Sequence, residues 1–350
     1  MKRARALALL VTTACGSSGP SAYAKHFAAA ERAETAGRHQ EAADQFEAAS
    51  RDPATRREKE HAAFLAALEL VRAGDAAAGA KRLEALAKAG GEHAAQARWE
   101  LVQMDIATNQ PNVKEELDAY VRTYPNDGLA YPALVARLRR ARDDGGEAEV
   151  LSVLRALEPA IARTDSAPRV AFEIGESLAK QNKPDEARAQ FVAVAAKFPY
   201  PGEYFDDALW RASEIDEQLG HVPDAIADLE KMLAVIEYSA LPGTYIRPRF
   251  PDAQWRIAEL YRDKLGDKPK AIAAFDRYVD LFSNGTRRDE ALWQEAKLTD
   301  DAGASCDLLA KLVKTSPDSR YVPCATSRCS KIERPKDSHA PKTCHAYITR

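Results

Sequence analysis

The chain has 350 residues, 45% of them hydrophobic and 29% charged, which is the balance of a folded chain and not of a disordered one. Its formal net charge of −3 supplies no basic bias towards nucleic acid. Alanine is abundant and β-branched residues are sparse through the middle, which favours helix.

The first element is a targeting segment. Lys2, Arg3 and Arg5 precede a short apolar run, Ala6 to Val11, too short to span a bilayer as a helix. The run ends in Thr12-Thr13-Ala14-Cys15. This resembles the lipobox of bacterial lipoproteins, with Thr12 where that family usually has Leu. The resemblance implies a signal peptide over 1–14 and a lipidated Cys15 as first residue of the mature protein. The other reading is a plain secretory signal. Gly16 occupies the place where an Asp would favour inner-membrane retention, so the resemblance points to the outer membrane, facing the periplasm. Residues 15–22 are rich in Gly and Ser and read as a flexible tether. Several acyl chains anchor stably where one does not.

From residue 23 an aromatic position recurs: Phe27, Phe64, Trp99, Tyr131, Phe172, Trp210, Trp255 and Trp293. The gaps are 37, 35, 32, 41, 38, 45 and 38 residues, and all four tryptophans fall on this position. A period of this size marks a repeat array. Each period holds two helical patterns. In the first, Phe27, Ala30 and Ala33 share one face, Ala36-Gly37-Arg38-His39 turns, and Ala42, Phe46 and Ala49 share the second face. The second period gives Phe64 and Ala67, the turn Gly74-Asp75, then Gly79, Leu83 and Leu86. Small residues beside bulky ones suit two closely crossing antiparallel helices.

These residues resemble the tetratricopeptide repeat: a small residue in the first helix, Gly at the turn, Ala-aromatic-Ala in the second helix, and a closing Pro. The fifth unit is among the clearest, with Phe172, Gly175, Leu178, Ala187, Phe191 and Phe198-Pro199. The third lacks a Gly turn and has Asn109-Gln110-Pro111-Asn112; the fourth has Asp143-Asp144-Gly145-Gly146. The resemblance implies an all-α, right-handed superhelical solenoid of about eight helix-turn-helix repeats. We divide it into N-terminal repeats over 23–160 and C-terminal repeats over 161–320. The junction Phe198 to Trp210 resembles those of envelope proteins with this repeat. Among them are the outer-membrane assembly lipoprotein, the Tol-Pal coordinator and secretin pilots.

One insertion, Tyr238 to Pro251, lengthens the sixth gap. Its three prolines bar a regular helix, so it reads as a loop. Tyr245, Arg247, Arg249 and Phe250 have the chemistry of contact residues, and equally that of a stiff connector packed on its neighbours. The tail, 321–350, carries six Lys or Arg against Glu333 and Asp337. Cys306, Cys324, Cys329 and Cys344 all lie near this end. In an exported protein they predict two disulfides, in one of three connectivities, stapling the tail to the last repeat. A zinc set of Cys324, Cys329, Cys344 and His345 would need reduced thiolates.

Catalytic signatures and phosphate-binding loops are missing from the sequence, and no cofactor or metal is predicted. The array is the functional element. In the repeat family the recurring aromatic and the residue four positions later often face the groove. Here that implies a stripe of Phe172, Glu176, Trp210, Glu214, Trp255, Glu259 and Trp293, suited to a peptide with basic and apolar side chains. Equally, the rings are inter-repeat core and the glutamates a solvated face. The predicted function is a non-enzymatic scaffold on the outer membrane that binds envelope proteins or peptides, first of all in outer-membrane protein assembly. Tol-Pal or division coordination and secretin piloting are the alternatives, and a cell-wall enzyme or its regulatory subunit is the third.

Overall fold

Each sequence period folds, as its spacing predicts, into two helices joined by a tight turn. The computed structural model describes residues 20–235 and 249–349, and every regular element among them is helical. The first three pairs are α1 (Ala22–Thr35) with α2 (His39–Arg51), α3 (Arg56–Arg72) with α4 (Ala76–Ala89), and α5 (Ala94–Ala107) with α6 (Val113–Thr123). The fourth pair is the long element α7 (Ala130–Ile161), broken where Gly146 leaves helical geometry at φ 63° and ψ −153°. Then follow α8 (Ala167–Lys180) with α9 (Pro184–Lys197) and α10 (Phe205–Leu219) with α11 (Val222–Leu233). The seventh first helix, α12 (Arg249–Glu259), continues into a π-helical turn over Leu260–Lys264 and pairs with α13 (Lys268–Leu281). The last pair is α14 (Arg288–Leu298) with α15 (Ala302–Thr315); α16 (Val322–Arg328) and the single turn α17 (Ala346–Thr349) close the chain.

Local chemistry fixes these boundaries. Thr55 and Glu58 cap α3 reciprocally, satisfying two free amides at its start. Asp75 caps α4 and Asp267 caps α13, each through a carboxylate accepting from the amide three residues on. Between paired helices the chain reverses through a left-handed residue. Gly37, Gly74 and Gly220 take it, and so do Asn109 and Asn182, at φ 51° and 58°. The amide after each reaches back five residues, for instance Asp75 N to Leu70 O at 3.0 Å and Lys183 N to Leu178 O at 3.1 Å. These bonds satisfy carbonyls at the helix end. The third repeat therefore keeps the turn without glycine, because Asn tolerates this conformation better than other side chains.

The chain divides into two compact units, residues up to 140 and residues from 141. In the first, Ala30, Ala33, Ala42, Phe46 and Ala66 form a buried cluster with Phe27 and Leu65 against it. A second cluster joins Phe64, Ala67, Leu83 and Ala97. In the second unit Gly175 of α8 lies against the fully buried Phe191 of α9. A methyl group at 175 would come within 2.6 Å of that ring. This is the close helix crossing that the small residue allows.

Two expectations need correcting. The insertion was expected to be a loop as far as Pro251, but Arg249, Phe250 and Pro251 belong to α12. Pro251 sits in the first helical turn, where its missing N–H has no intrahelical partner to lose. Phe250 is 2% exposed and belongs to the core, not to a contact surface. Tyr245 and Arg247 lie outside the described residues, as do Cys15, the 1–14 segment and most of the 15–22 tether.

Candidate functional site

The recurring ring mostly fills seams. Phe172 packs on Phe191 of its own repeat at 5.1 Å between centroids, and Trp255 packs on Phe275 at 5.1 Å and Tyr278 at 5.5 Å. A second recurring position meets four of these rings, and the sequence reading missed it. Six residues before the next aromatic, a planar side chain lies on the ring of the preceding repeat. His93 stacks on Phe64 at 5.1 Å and Tyr204 meets Phe172 at 4.9 Å. The Arg249 guanidinium lies 5.5 Å from the Trp210 centroid and the Arg287 guanidinium 3.4 Å from that of Trp255. His, Tyr, Arg and Arg share flatness and little else. The fixed offset from the aromatic is the signal that could have found them.

After Trp210 and Trp255 the positions one, four and seven residues on carry charge, and they pair both within a helix and across repeats. Arg211 of α10 donates to Glu176 of α8 at 2.6 Å and to Glu214 at 2.6 Å. Arg256 of α12 donates to both carboxylate oxygens of Glu217, one at 2.7 Å, and to Glu259 at 3.1 Å. Burial works against the charge on Arg211, but these hydrogen bonds outweigh it and raise its pKa. For Arg256 the bond to Glu217 is the leading cause of a raised pKa. Glu176, Glu214 and Glu259 are therefore not the bare acidic stripe that the sequence suggested. Carboxylates and guanidinium groups are interspersed, with Arg211 and Arg256 each held by two carboxylates.

That surface is hollowed. A cleft of about 590 Å³ is lined by Trp210, Arg211, Ser213, Glu214, Glu217, Gln218 and Arg256. A second, also about 590 Å³, lies beside Trp293, the corresponding ring two repeats further on. Arg262 and Asp263 form one wall, Glu290, Trp293, Gln294, Lys297 and Leu298 of α14 another, and Arg320, Tyr321 and Ile348 complete it. Of the sequence candidates, Trp210, Glu214 and Trp293 thus line clefts, Phe172 and Trp255 fill seams, and Glu176 and Glu259 hold the arginines. The Trp255 indole donates to Glu259 at 2.8 Å.

The tail is stapled as expected, and one connectivity of the three is realised. Cys306 of α15 bonds Cys329, and Cys324 of α16 bonds Cys344. Elsewhere in this unit, Asp216, His221 and Asp224 bring ligand-type atoms within 4.8 Å of one another. Sequence spacing did not show this trio, because Asp216 lies before the turn and the other two after it. The Arg188 guanidinium already occupies Asp216, at 3.0 and 3.1 Å from its two oxygens, so the cluster is an ion-pair network. Arg188 also faces the buried Asp228 at 3.7 Å, whose pKa burial pushes up to about 6 against the pull of that guanidinium. No helix among the described residues is long and apolar enough to cross a membrane.

Comparison with known proteins returns the same repeat. The tetratricopeptide-repeat family model matches residues 154–204 and, in a second form, 252–285. No curated protein matches. Among solved structures, the C-terminal part of a TPR repeat-containing protein from Cytophaga hutchinsonii is 16% identical, covering 76% of this chain and 98% of its own, with a TM-score of 0.40. PilW, a widely conserved type IV pilus biogenesis factor, is 18% identical over 65% of this chain and 96% of its own, with a TM-score of 0.34. MamA from Desulfovibrio magneticus RS-1 is 18% identical over 53% and 93%, with a TM-score of 0.32. Residues 154–204 and 252–285 are tetratricopeptide repeats, and the helix pairs around them are built on the same plan.

Proposed function

We propose that this chain is a non-enzymatic scaffold that binds segments of other envelope proteins while a lipid on Cys15 holds it to the outer membrane. The observation that carries the binding role is the cleft between α10 and α12. Its walls come from repeated positions, and its charges are paired but reachable, with Arg211 and Arg256 each about one-third exposed. Such a surface suits an extended or helical segment that offers polar backbone and side chains of both signs beside apolar ones. The anchor rests on the sequence Thr12-Thr13-Ala14-Cys15. Confinement to a surface raises the effective concentration of scaffold near other membrane-bound proteins, so modest affinities suffice. Outer-membrane protein assembly is the process we favour.

The test is mild crosslinking of the full chain in its native host, followed by co-purification. Capture of barrel-assembly proteins, weakened by charge reversal at Arg211 and Arg256, supports the reading. Capture of Tol-Pal or secretin components alone would overturn the assembly role. Metabolic labelling with a palmitate analogue tests the anchor: label should enter the wild type and vanish in Cys15→Ser. A wild type that takes no label removes the lipid from the proposal.

A further inference from the structure

Ile348, of the last described turn, Ala346–Thr349, lines the second cleft. The indole nitrogen of Trp293 donates to the backbone carbonyl of Ile348 at 3.3 Å. Ile348 is only 6% exposed. Tyr321 stacks on Trp293, 5.6 Å between ring centroids, so the last turn meets an aromatic wall.

The repeat register explains why this happens here and not one repeat earlier. In the seventh repeat the residue four positions after the ring is Glu259, and it takes the Trp255 indole hydrogen for itself. In the eighth that position is Lys297, which has donors and no acceptor. A buried indole N–H without a partner is costly, so Trp293 must find an acceptor outside its own helix. A backbone carbonyl from an incoming segment supplies one. The same substitution leaves the Lys297 cation on the cleft wall, beside Arg262 and Asp263.

We propose that the Trp293 cleft is a peptide-binding site whose resident occupant is the chain's own last turn. A partner segment enters by displacing it, and must place an aliphatic side chain where Ile348 lies and a backbone carbonyl on the Trp293 indole. The inference rests on reading this register as a binding surface, as above. The Cys324–Cys344 bond makes the resident hard to displace. It ties the chain to α16 only four residues before Ile348, which keeps the tail at high effective concentration over the cleft. Ala346 and Ile348 are the small and aliphatic residues that such a turn requires, and no charged side chain stands between His345 and Ile348.

The experiment uses the full chain and a fluorescently labelled peptide with the sequence of residues 345–350, followed by anisotropy. The wild type should bind it weakly, because the tethered tail competes. Ile348→Glu, which keeps both disulfides, should bind it at least about tenfold more tightly, as expected when an intramolecular competitor is removed. The double variant Cys324→Ala/Cys344→Ser should do the same by lengthening the tether, which keeps the test alive if one variant folds poorly. Adding Trp293→Phe to Ile348→Glu keeps a ring and deletes the donor; it should lower peptide affinity by roughly two- to tenfold, the usual range for one hydrogen bond. Equal peptide affinity in the wild type and both tail-freed variants overturns the proposal, and so does indifference to Trp293→Phe. Partner capture that survives in a chain failing these tests leaves the scaffold reading standing and removes this site alone. Peptide binding without any partner capture does the reverse.

Discussion

The guanidinium of Arg287 lies 3.4 Å from the centre of the Trp255 ring, across the seam between the seventh and eighth repeats. Arg287 is also held by Glu290 at 3.1 Å, so the cation is positioned before the ring meets it. Trp255 is 3% exposed, and desolvation strengthens a cation facing a ring. Arg287→Ala should therefore cost about 1–2 kcal/mol of stability. Arg287→Lys should recover only part of this, because an ammonium group does not stack as a plane. Thermal unfolding followed by circular dichroism reads both. A lysine variant as stable as the wild type would show that charge alone, and not the flat group, closes the seam.

The Gly175–Phe191 crossing makes a second prediction of opposite sign to helix propensity. Replacing an interior helical glycine by alanine ordinarily stabilises by up to about 1 kcal/mol. At 175 the added methyl would come within 2.6 Å of a fully buried ring. Overpacking of that kind costs about 1–3 kcal/mol, so Gly175→Ala should be neutral at best and destabilising in the main. Gly175→Ala paired with Phe191→Leu should regain part of the loss, since the smaller side chain makes room. Denaturant midpoints of the two variants decide it, and a stabilised single variant would contradict the observed crossing.

Asn182 tests the turns. It sits at φ 58° between α8 and α9, where the first, second and sixth repeats carry glycine. Asn182→Gly should be close to neutral. Asn182→Ala should lose about 1 kcal/mol, because a Cβ without a polar partner is disfavoured in the left-handed region. Equal stability of the two variants in urea would mean that the turn relaxes out of this conformation.

Much of this architecture was legible because it is periodic. The aromatic spacing fixed the helix pairs, and the Gly-Asp turns fixed the reversals. The four cysteines announced a stapled tail but not its connectivity, which depends on how α15 and α16 meet. The binding surface was less legible. The glutamates at 176, 214 and 259 read as an acidic stripe when taken one helix at a time. Arg211 and Arg256 pair with Glu214 and Glu259 on their own helices, but they also reach Glu176 and Glu217 on the preceding repeats, and only the packing of α8, α10 and α12 brings those pairs together. The occupant of the last cleft was invisible for a related reason. Nothing local in Ala346 to Thr349 says that Trp293, far back in the chain, is its partner.

Glu295 makes stability depend on pH. It lies on α14 and is 6% exposed, and its Oε2 has no hydrogen-bond partner. Burial, reinforced by the charges of Asp276 and Asp280 on α13 and only partly opposed by Lys311 on α15, pushes its pKa from the ordinary 4.5 up to about 7. Below 4.5 the group is protonated whether the chain is folded or not, and it costs nothing. As pH rises from 4.5 to about 7 the unfolded chain releases this proton before the folded one does, so stability falls across that window. Above it both states are ionised and the loss is constant. Glu295→Gln removes the titration and nearly keeps the size. The variant should match the wild type near pH 5 and exceed it by roughly 1–3 kcal/mol at pH 8, allowing for relaxation around a buried charge. Urea midpoints measured for both chains across this range give the difference directly, and other titrating groups cancel in it. Parallel profiles for the two chains would mean that Glu295 is ionised throughout and that the carboxylates of α13 do not reach it.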